Sequence, residues 1–149
     1  MYESIINYVK LSSTAHEPTR GSEQAAGYDL YADIDGDYLT LLPGEVKKIS
    51  TGIAITLPEG TFGAIFARSG LATKRGLTPA NKVGVIDSDY RGPIIVALKN
   101  ESDQMQTIAH GERIAQLVAI PYCPMKFNEA KTIGTTARRT SGFGSTGEK

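Results

Sequence analysis

Four short segments place ligand-binding or proton-handling residue types where the chain changes direction. Ala67-Arg68-Ser69-Gly70-Leu71-Ala72 sets an Arg and a Ser where a strand gives way to a helix. A helix N-terminus offers free N–H groups and the positive end of a dipole, so it suits phosphate, and Arg68 adds a two-pronged donor. The same residues also fit a plain helix cap with a solvated Arg. Gly84-Val85-Ile86-Asp87-Ser88-Asp89-Tyr90-Arg91-Gly92 reads as a β-hairpin with its turn near Ser88 and Asp89. Asp87, directly after apolar Ile86, is expected to be partly buried, which favours a general base; a turn-stabilising Asp is the plainer alternative. Gly27-Tyr28-Asp29-Leu30-Tyr31-Ala32 carries one acid among apolar residues, suited either to orienting a metal-bound water or to accepting backbone hydrogen bonds. In Gly111-Glu112-Arg113-Ile114-Ala115-Gln116-Leu117-Val118 a turn leads into a strand, and Gln116 interrupts the apolar run. A polar residue at that depth needs a partner, from the protein or from a ligand.

The elements that must carry these segments are short and β-like. Residues 5–11, 38–42, 46–49, 53–57, 61–66, 94–98, 105–108 and 114–120 are rich in β-branched or aromatic side chains. Between them lie Gly, Pro, Asn and Asp at the places where the chain must reverse. Turn signals at this spacing indicate an all-β sandwich, barrel or jelly roll. Residues 69–75 are the exception, a short helix starting at a serine cap and stopping at Gly76; residues 126–131 are read as one further helical turn.

Composition narrows the function classes. The 149 residues suit one domain, read as a β unit over 1–133 and a glycine-rich tail over 134–149. Lys plus Arg and Asp plus Glu number 16 each, which disfavours a nucleic-acid binder but not a small anion held by a few arginines. The single cysteine, Cys123, cannot form an intrachain disulfide, so a reducing compartment is expected: cytoplasm, or nucleus for a eukaryotic or viral source. Cys123 itself is read as a packing residue. Two histidines, His16 and His110, do not suffice for a His/Cys metal cage, and no signal peptide or transmembrane span is expected. The tail holds one large apolar residue, Phe143, among glycines and beside Arg138 and Arg139. It reads either as a disordered tail or as a flap that closes on a flat, anionic ligand.

In this order the segments resemble the five motifs of the trimeric dUTPase family. They are Ala26-Gly27-Tyr28-Asp29-Leu30-Tyr31-Ala32, then Arg68-Ser69-Gly70-Leu71-Ala72, then the run from Gly84 to Gly92. The fourth is Gly111-Glu112-Arg113-Ile114-Ala115-Gln116-Leu117, and the fifth runs from Arg138 through Gly142-Phe143-Gly144-Ser145-Thr146-Gly147. The resemblance implies an all-β, jelly-roll-like (β-clip) subunit with one short helix and a flexible tail, a homotrimer with shared active sites, dUTP as substrate and Mg²⁺. One subunit's third motif would hold the nucleoside, a neighbour's second and fourth motifs the phosphates, and the third subunit's tail would close the site.

Residue by residue, the resemblance implies that Asp87 orients and deprotonates the attacking water. Asn81, Val85, Ile86, Tyr90, Ile95 and Phe143 would contact deoxyribose or uracil. Arg68, Ser69, Gly70, Gln116, Arg138, Gly144 and Ser145 would contact the phosphates, and Asp29 would hold a metal-bound water without ligating the metal directly. Two departures stand out. Ala67 replaces a Pro common before the motif Arg, and Arg139 competes with Arg138 for the phosphate. A dCTP deaminase is the nearest rival, but Ala97 stands where that chemistry needs a Glu. A regulatory nucleotide binder and a purely structural jelly roll are further alternatives. Neither partnership with nucleic acid nor membrane association is expected.

Overall fold

Residues 4–140 and residue 142 are described by the computed structural model. The chain runs β1 (Tyr8–Lys10), β2 (Tyr28–Tyr31), β3 (Tyr38–Leu41), β4 (Val46–Ser50), β5 (Ile53–Ile55), β6 (Thr61–Phe66) and α1 (Ser69–Arg75). It continues with β7 (Leu77–Pro79), β8 (Gly84–Ile86), β9 (Ile95–Asn100), β10 (Gln106–Ala109) and β11 (Arg113–Pro121). Every strand pairing is antiparallel. A four-stranded sheet has the order β2-β11-β6-β8 and a three-stranded sheet β4-β9-β7, with β1-β5 and β10-β3 as two-stranded sheets. This is the all-β, jelly-roll-like architecture expected.

The core follows from side-chain alternation. Along β9 the residues Val96, Leu98 and Asn100 are buried while those between are not, the period of two that a strand with one covered face requires. Leu30, Leu41, Ile49, Ile53, Leu77, Ile94, Leu98, Ile108 and Ile114 form the centre, each 1 % exposed or less. Asn100 is the largest buried polar side chain, and it is fully paired. Its amide donates to the carbonyls of Leu41 (3.0 Å) and Gln104 (2.7 Å), and its oxygen accepts from Ser102 N (3.0 Å) and Oγ (2.7 Å). An unpaired amide at that depth would cost about 1–3 kcal/mol.

Several expectations are corrected. Residues 84–92 are not a hairpin: β8 pairs with β6 and β9 with β4 and β7, so the loop between them crosses from one sheet to the other. β2 and β7 are strands the composition did not reveal, because three or four residues are too few to show a period. β1 and β5 are shorter than the apolar runs that contain them. Residues 126–131 form no helical turn. The helix cap is Arg68 rather than a serine, and its side chain makes no capping hydrogen bond; Gly76, at φ 63°, closes the helix as expected. Cys123 is exposed instead of packed, since residues 122–140 leave the sheets and are exposed throughout.

Candidate functional site

A β-bulge decides which side chains share a face at one end of the four-stranded sheet. Arg113 lies opposite Tyr31, but Ala115 lies opposite Leu30 and Gln116 opposite Asp29, so one residue is absorbed between Arg113 and Ala115. In a regular strand Arg113 and Gln116, three apart, would point to opposite faces. The extra residue resets the alternation and leaves Ile114 and Ala115 consecutively buried. Arg113, Gln116 and Asp29 thereby share one face. Gln116 also lies opposite Phe66 on β6, and Arg68 follows two residues later with the same alternation.

The contacts agree with that geometry. Asp29 Oδ1 accepts from Arg68 Nε at 2.7 Å, and Oδ2 accepts from Arg113 Nη1 at 3.3 Å. Of the two readings for Asp29, backbone bonding is not met among the described residues, where the carboxylate holds two guanidinium groups. The backbone of Asp29 is fixed by a bridge to Thr19, with N–H···O distances of 2.6 and 3.3 Å. Gln116 finds its partner within the protein, donating from Nε2 to the carbonyl of Ala67 at 2.9 Å. Its amide oxygen lies where a side chain on Gly27 would have to be, so the glycine of the first segment makes room for the glutamine of the fourth. Ser69 and Gly70 are exposed beside Arg68 at the start of α1.

A second group forms at the other end of the same sheet. Val85, Ile86, Asp87, Tyr90, Pro93 and Ile95 line a cavity of about 160 Å³. Five of these six are the expected nucleoside and water-activating residues. Tyr90 is held in place by its hydroxyl, which donates to the Pro93 carbonyl at 3.0 Å, and by its packing across Gly92, where any Cβ would strike the ring. On the other side of Asp87 lies a wider, open recess of about 700 Å³, lined by Leu57, Glu59, Thr61, Asp87, Ser88, Asp89, Arg91 and Tyr122. Asp87 is exposed in the single chain, contrary to the partial burial expected, because β8 ends at Ile86 and the chain turns outward. Asn81 is exposed in the loop before Gly84, close to the second group but not among the residues lining either cavity. That loop bends through Lys82 at φ 65°, and Lys82 is tied by Nζ to Glu101 at 2.5 Å.

A sequence model of the family described as dUTPase matches residues 13–147. The chain belongs to the dUTPase family. It is 48 % identical over 143 residues to the deoxyuridine 5'-triphosphate nucleotidohydrolase of Desulfitobacterium hafniense, covering 95 % of this chain and 94 % of that protein. It is 47 % identical over 140 residues to the corresponding protein of a Hydrogenobaculum species, covering 94 % and 96 %. Among solved structures, the Staphylococcus bacteriophage 80alpha dUTPase with dUpNHpp superposes with a TM-score of 0.84 at 26 % identity, covering 98 % of this chain and 100 % of that one.

Within this dUTPase fold, Arg113 joins the candidate site through Asp29, a placement that sequence reasoning missed. It stood in the fourth motif, but only the bulge shows that it faces Asp29. Arg138 sits in a turn spanning 137–140 and is exposed, next to Arg139 at φ 51°. Phe143, Gly144 and Ser145 lie outside the described residues. Among the described residues no three His, Cys, Asp or Glu side chains are grouped to hold a metal, and no helix is long and apolar enough to cross a membrane.

Proposed function

We propose that this chain hydrolyses dUTP to dUMP and pyrophosphate by attack of a water on the α-phosphorus. The observation that carries the reading is the cavity where Val85, Ile86, Asp87, Tyr90 and Ile95 meet, which sets a carboxylate beside aliphatic side chains and an aromatic ring. A cavity of this size suits a deoxyribose and the edge of a base. The Tyr90 ring, fixed by Gly92 and Pro93, leaves no room for a 2′-hydroxyl, and Asn81 with main-chain groups near Val85 and Ile95 reads the uracil. Asp87 orients the attacking water and takes its proton while pyrophosphate departs in line.

Arg68, Ser69, Gly70 and Gln116 serve the phosphates, with Arg113 added to the set. They stand far from the Asp87 of their own chain. Gln116 lies opposite Phe66 and Arg68 follows two residues later, whereas Asp87 follows Ile86, opposite Gly63, toward the other end of β6. At about 3.3 Å per residue along strands and about 4.8 Å between them, the Arg68 and Asp87 positions are roughly 20 Å apart. The guanidinium of Arg68 also turns toward β2, away from β8. The two halves therefore combine across chains, in a homotrimer whose sites are shared. The exposed apolar side chains of the C-terminal segment, Met125, Phe127 and Ile133, supply surface for that assembly.

Residues 134–149 close the site, with Phe143 on the uracil and Arg138, Gly144 and Ser145 on the phosphates. Magnesium fits the donor set present: each Asp29 oxygen already accepts one guanidinium bond and retains acceptor capacity for a water, which suits water-mediated contact with a phosphate-bound ion. When bound, the ion offsets phosphate charge. In metabolism the reaction limits uracil in DNA and supplies dUMP for dTMP synthesis.

The test is pyrophosphate release from dUTP, UTP, dCTP and dTTP by the wild type and by Asp87→Asn. Only dUTP should be turned over, and the Asn variant should lose about 10²–10⁴-fold in kcat while still binding dUpNHpp. Equal turnover by the Asn variant removes Asp87 from its role, and ammonia release from dCTP would establish a deaminase instead.

A further inference from the structure

Resting on that reading, we propose that Arg75 and Glu112 are a positioning pair for the phosphate half of the site. α1 is seven residues long and contains Gly70 and Thr73, with Leu71 its one buried residue. A helix this short has no stability of its own and takes its orientation from what it touches. A single buried leucine fixes a pivot but not a direction, so the direction must come from the two ends.

Both ends are held by acids, Asp29 on β2 and Glu112 in the turn just before β11, the strand paired with β2. At the front, Arg68 donates to Asp29 on β2. At the back, Arg75 donates through Nη1 to Glu112 Oε1, through Nη2 to the Thr107 carbonyl, and through Nε to Gln106 Oε1 at 3.2 Å. Glu112 is itself fixed: its Oε2 accepts from Ala109 N at 2.9 Å and its carbonyl accepts from Ala32 N at 2.8 Å. The next residue, Arg113, donates to the other oxygen of Asp29. The result is a closed circuit: Arg68, helix, Arg75, Glu112, Arg113, Asp29 and back to Arg68. It contains Arg68, Ser69, Gly70 and Arg113 of the phosphate half and, among the described residues, passes through none assigned to the nucleoside. The Arg75 and Glu112 side chains are 32 % and 26 % exposed, sheltered enough for the pair to hold a direction.

Losing the pair leaves Leu71 as the pivot and lets Arg68, Ser69 and Gly70 drift from the phosphates while the cavity around Tyr90 is untouched. Arg75→Met keeps the aliphatic stem, Glu112→Gln keeps the shape, and Arg75→Lys keeps the charge but puts all its donors on one nitrogen, which cannot span acceptors that the guanidinium reaches from three. Binding of dUpNHpp and of dUMP to each variant separates the two halves, since dUMP lacks the outer phosphates.

A displacement of about an ångström at a reacting centre is worth up to about a hundredfold, so Arg75→Met and Glu112→Gln should weaken dUpNHpp binding and raise the KM for dUTP by between tenfold and a hundredfold. Binding of dUMP should stay within about twofold, and Arg75→Lys should recover only part of the loss. Unchanged dUpNHpp binding in both variants overturns the proposal, and so does a parallel loss of dUMP binding, which would mean general loosening. A wild type that binds both ligands but releases no pyrophosphate would sink the proposed reaction and leave this comparison readable.

Discussion

Gly27→Ala tests the contact between the first and fourth motifs without removing any functional group. Gly27 has a backbone φ outside the left-handed region, so alanine is conformationally acceptable there. What it cannot accept is the neighbour: a Cβ would overlap the amide oxygen of Gln116, with Cδ at 3.2 Å and Cβ at 3.4 Å. The Gln116 amide must move, and it forfeits its 2.9 Å bond to the Ala67 carbonyl. A lost hydrogen bond of this kind, with a half-sheltered acceptor left behind, costs about 1–2 kcal/mol. For a domain near this size that is about 2–8 °C in Tm. The decisive measurement is the double-mutant cycle with Gln116→Ala. Once the long side chain is gone, the remaining Cβ at 3.4 Å is an ordinary contact. Alanine at 27 should then be neutral, or stabilising by about 0.4–1 kcal/mol through the unfolded state. Urea unfolding of the four proteins at one chain concentration should give a coupling of about 1–3 kcal/mol, the difference between the effects of alanine at 27 in the two backgrounds. If the two changes add to within about 0.5 kcal/mol, Gly27 is not there to make room for Gln116, and the reasoning fails.

Two further outcomes follow from the geometry. Gly92→Ala should push the Tyr90 ring off its seat, since a Cβ would approach Cζ to 2.6 Å. The kcat/KM preference for dUTP over UTP should fall by about tenfold, equivalent to about 1.4 kcal/mol, and an unchanged preference would detach Tyr90 from sugar selection. Asp33→Asn should show an acid signature. Burial pushes the Asp33 carboxyl up, but hydrogen bonds from Ser12 and Thr14 and the nearby His110 and His16 outweigh it and hold the group below its ordinary value. A lowered folded-state value stabilises the fold above the unfolded value of about 3.9, and that contribution is lost as pH falls below it. Wild type should therefore be more stable than the Asn variant at pH 7, with the gap in urea midpoint shrinking below about pH 4. A gap that stays constant or widens in acid would contradict this.

Much of the site was written in residue types. Arg68, Asp87, Tyr90 and Gln116 stand in segments whose order is recognisable, and Gly76 ends its helix because a left-handed position there favours glycine. The sequence could also say that the fold is β, because alternation and turn residues are local signals carried by neighbours in the chain. It could not say that residues 84–92 cross between sheets, since a strand's choice of partner depends on residues far away in the chain. Nor could it place Arg113 beside Asp29. A bulge changes the parity of everything after it, and whether a strand takes up an extra residue is decided by the register of its partner. The separation of the phosphate residues from Asp87 has the same origin. Gln116 lies opposite Phe66 with Arg68 just beyond, whereas Asp87 follows Ile86, opposite Gly63, so the register of β11 and β8 on β6 sets the two groups toward opposite ends of one sheet.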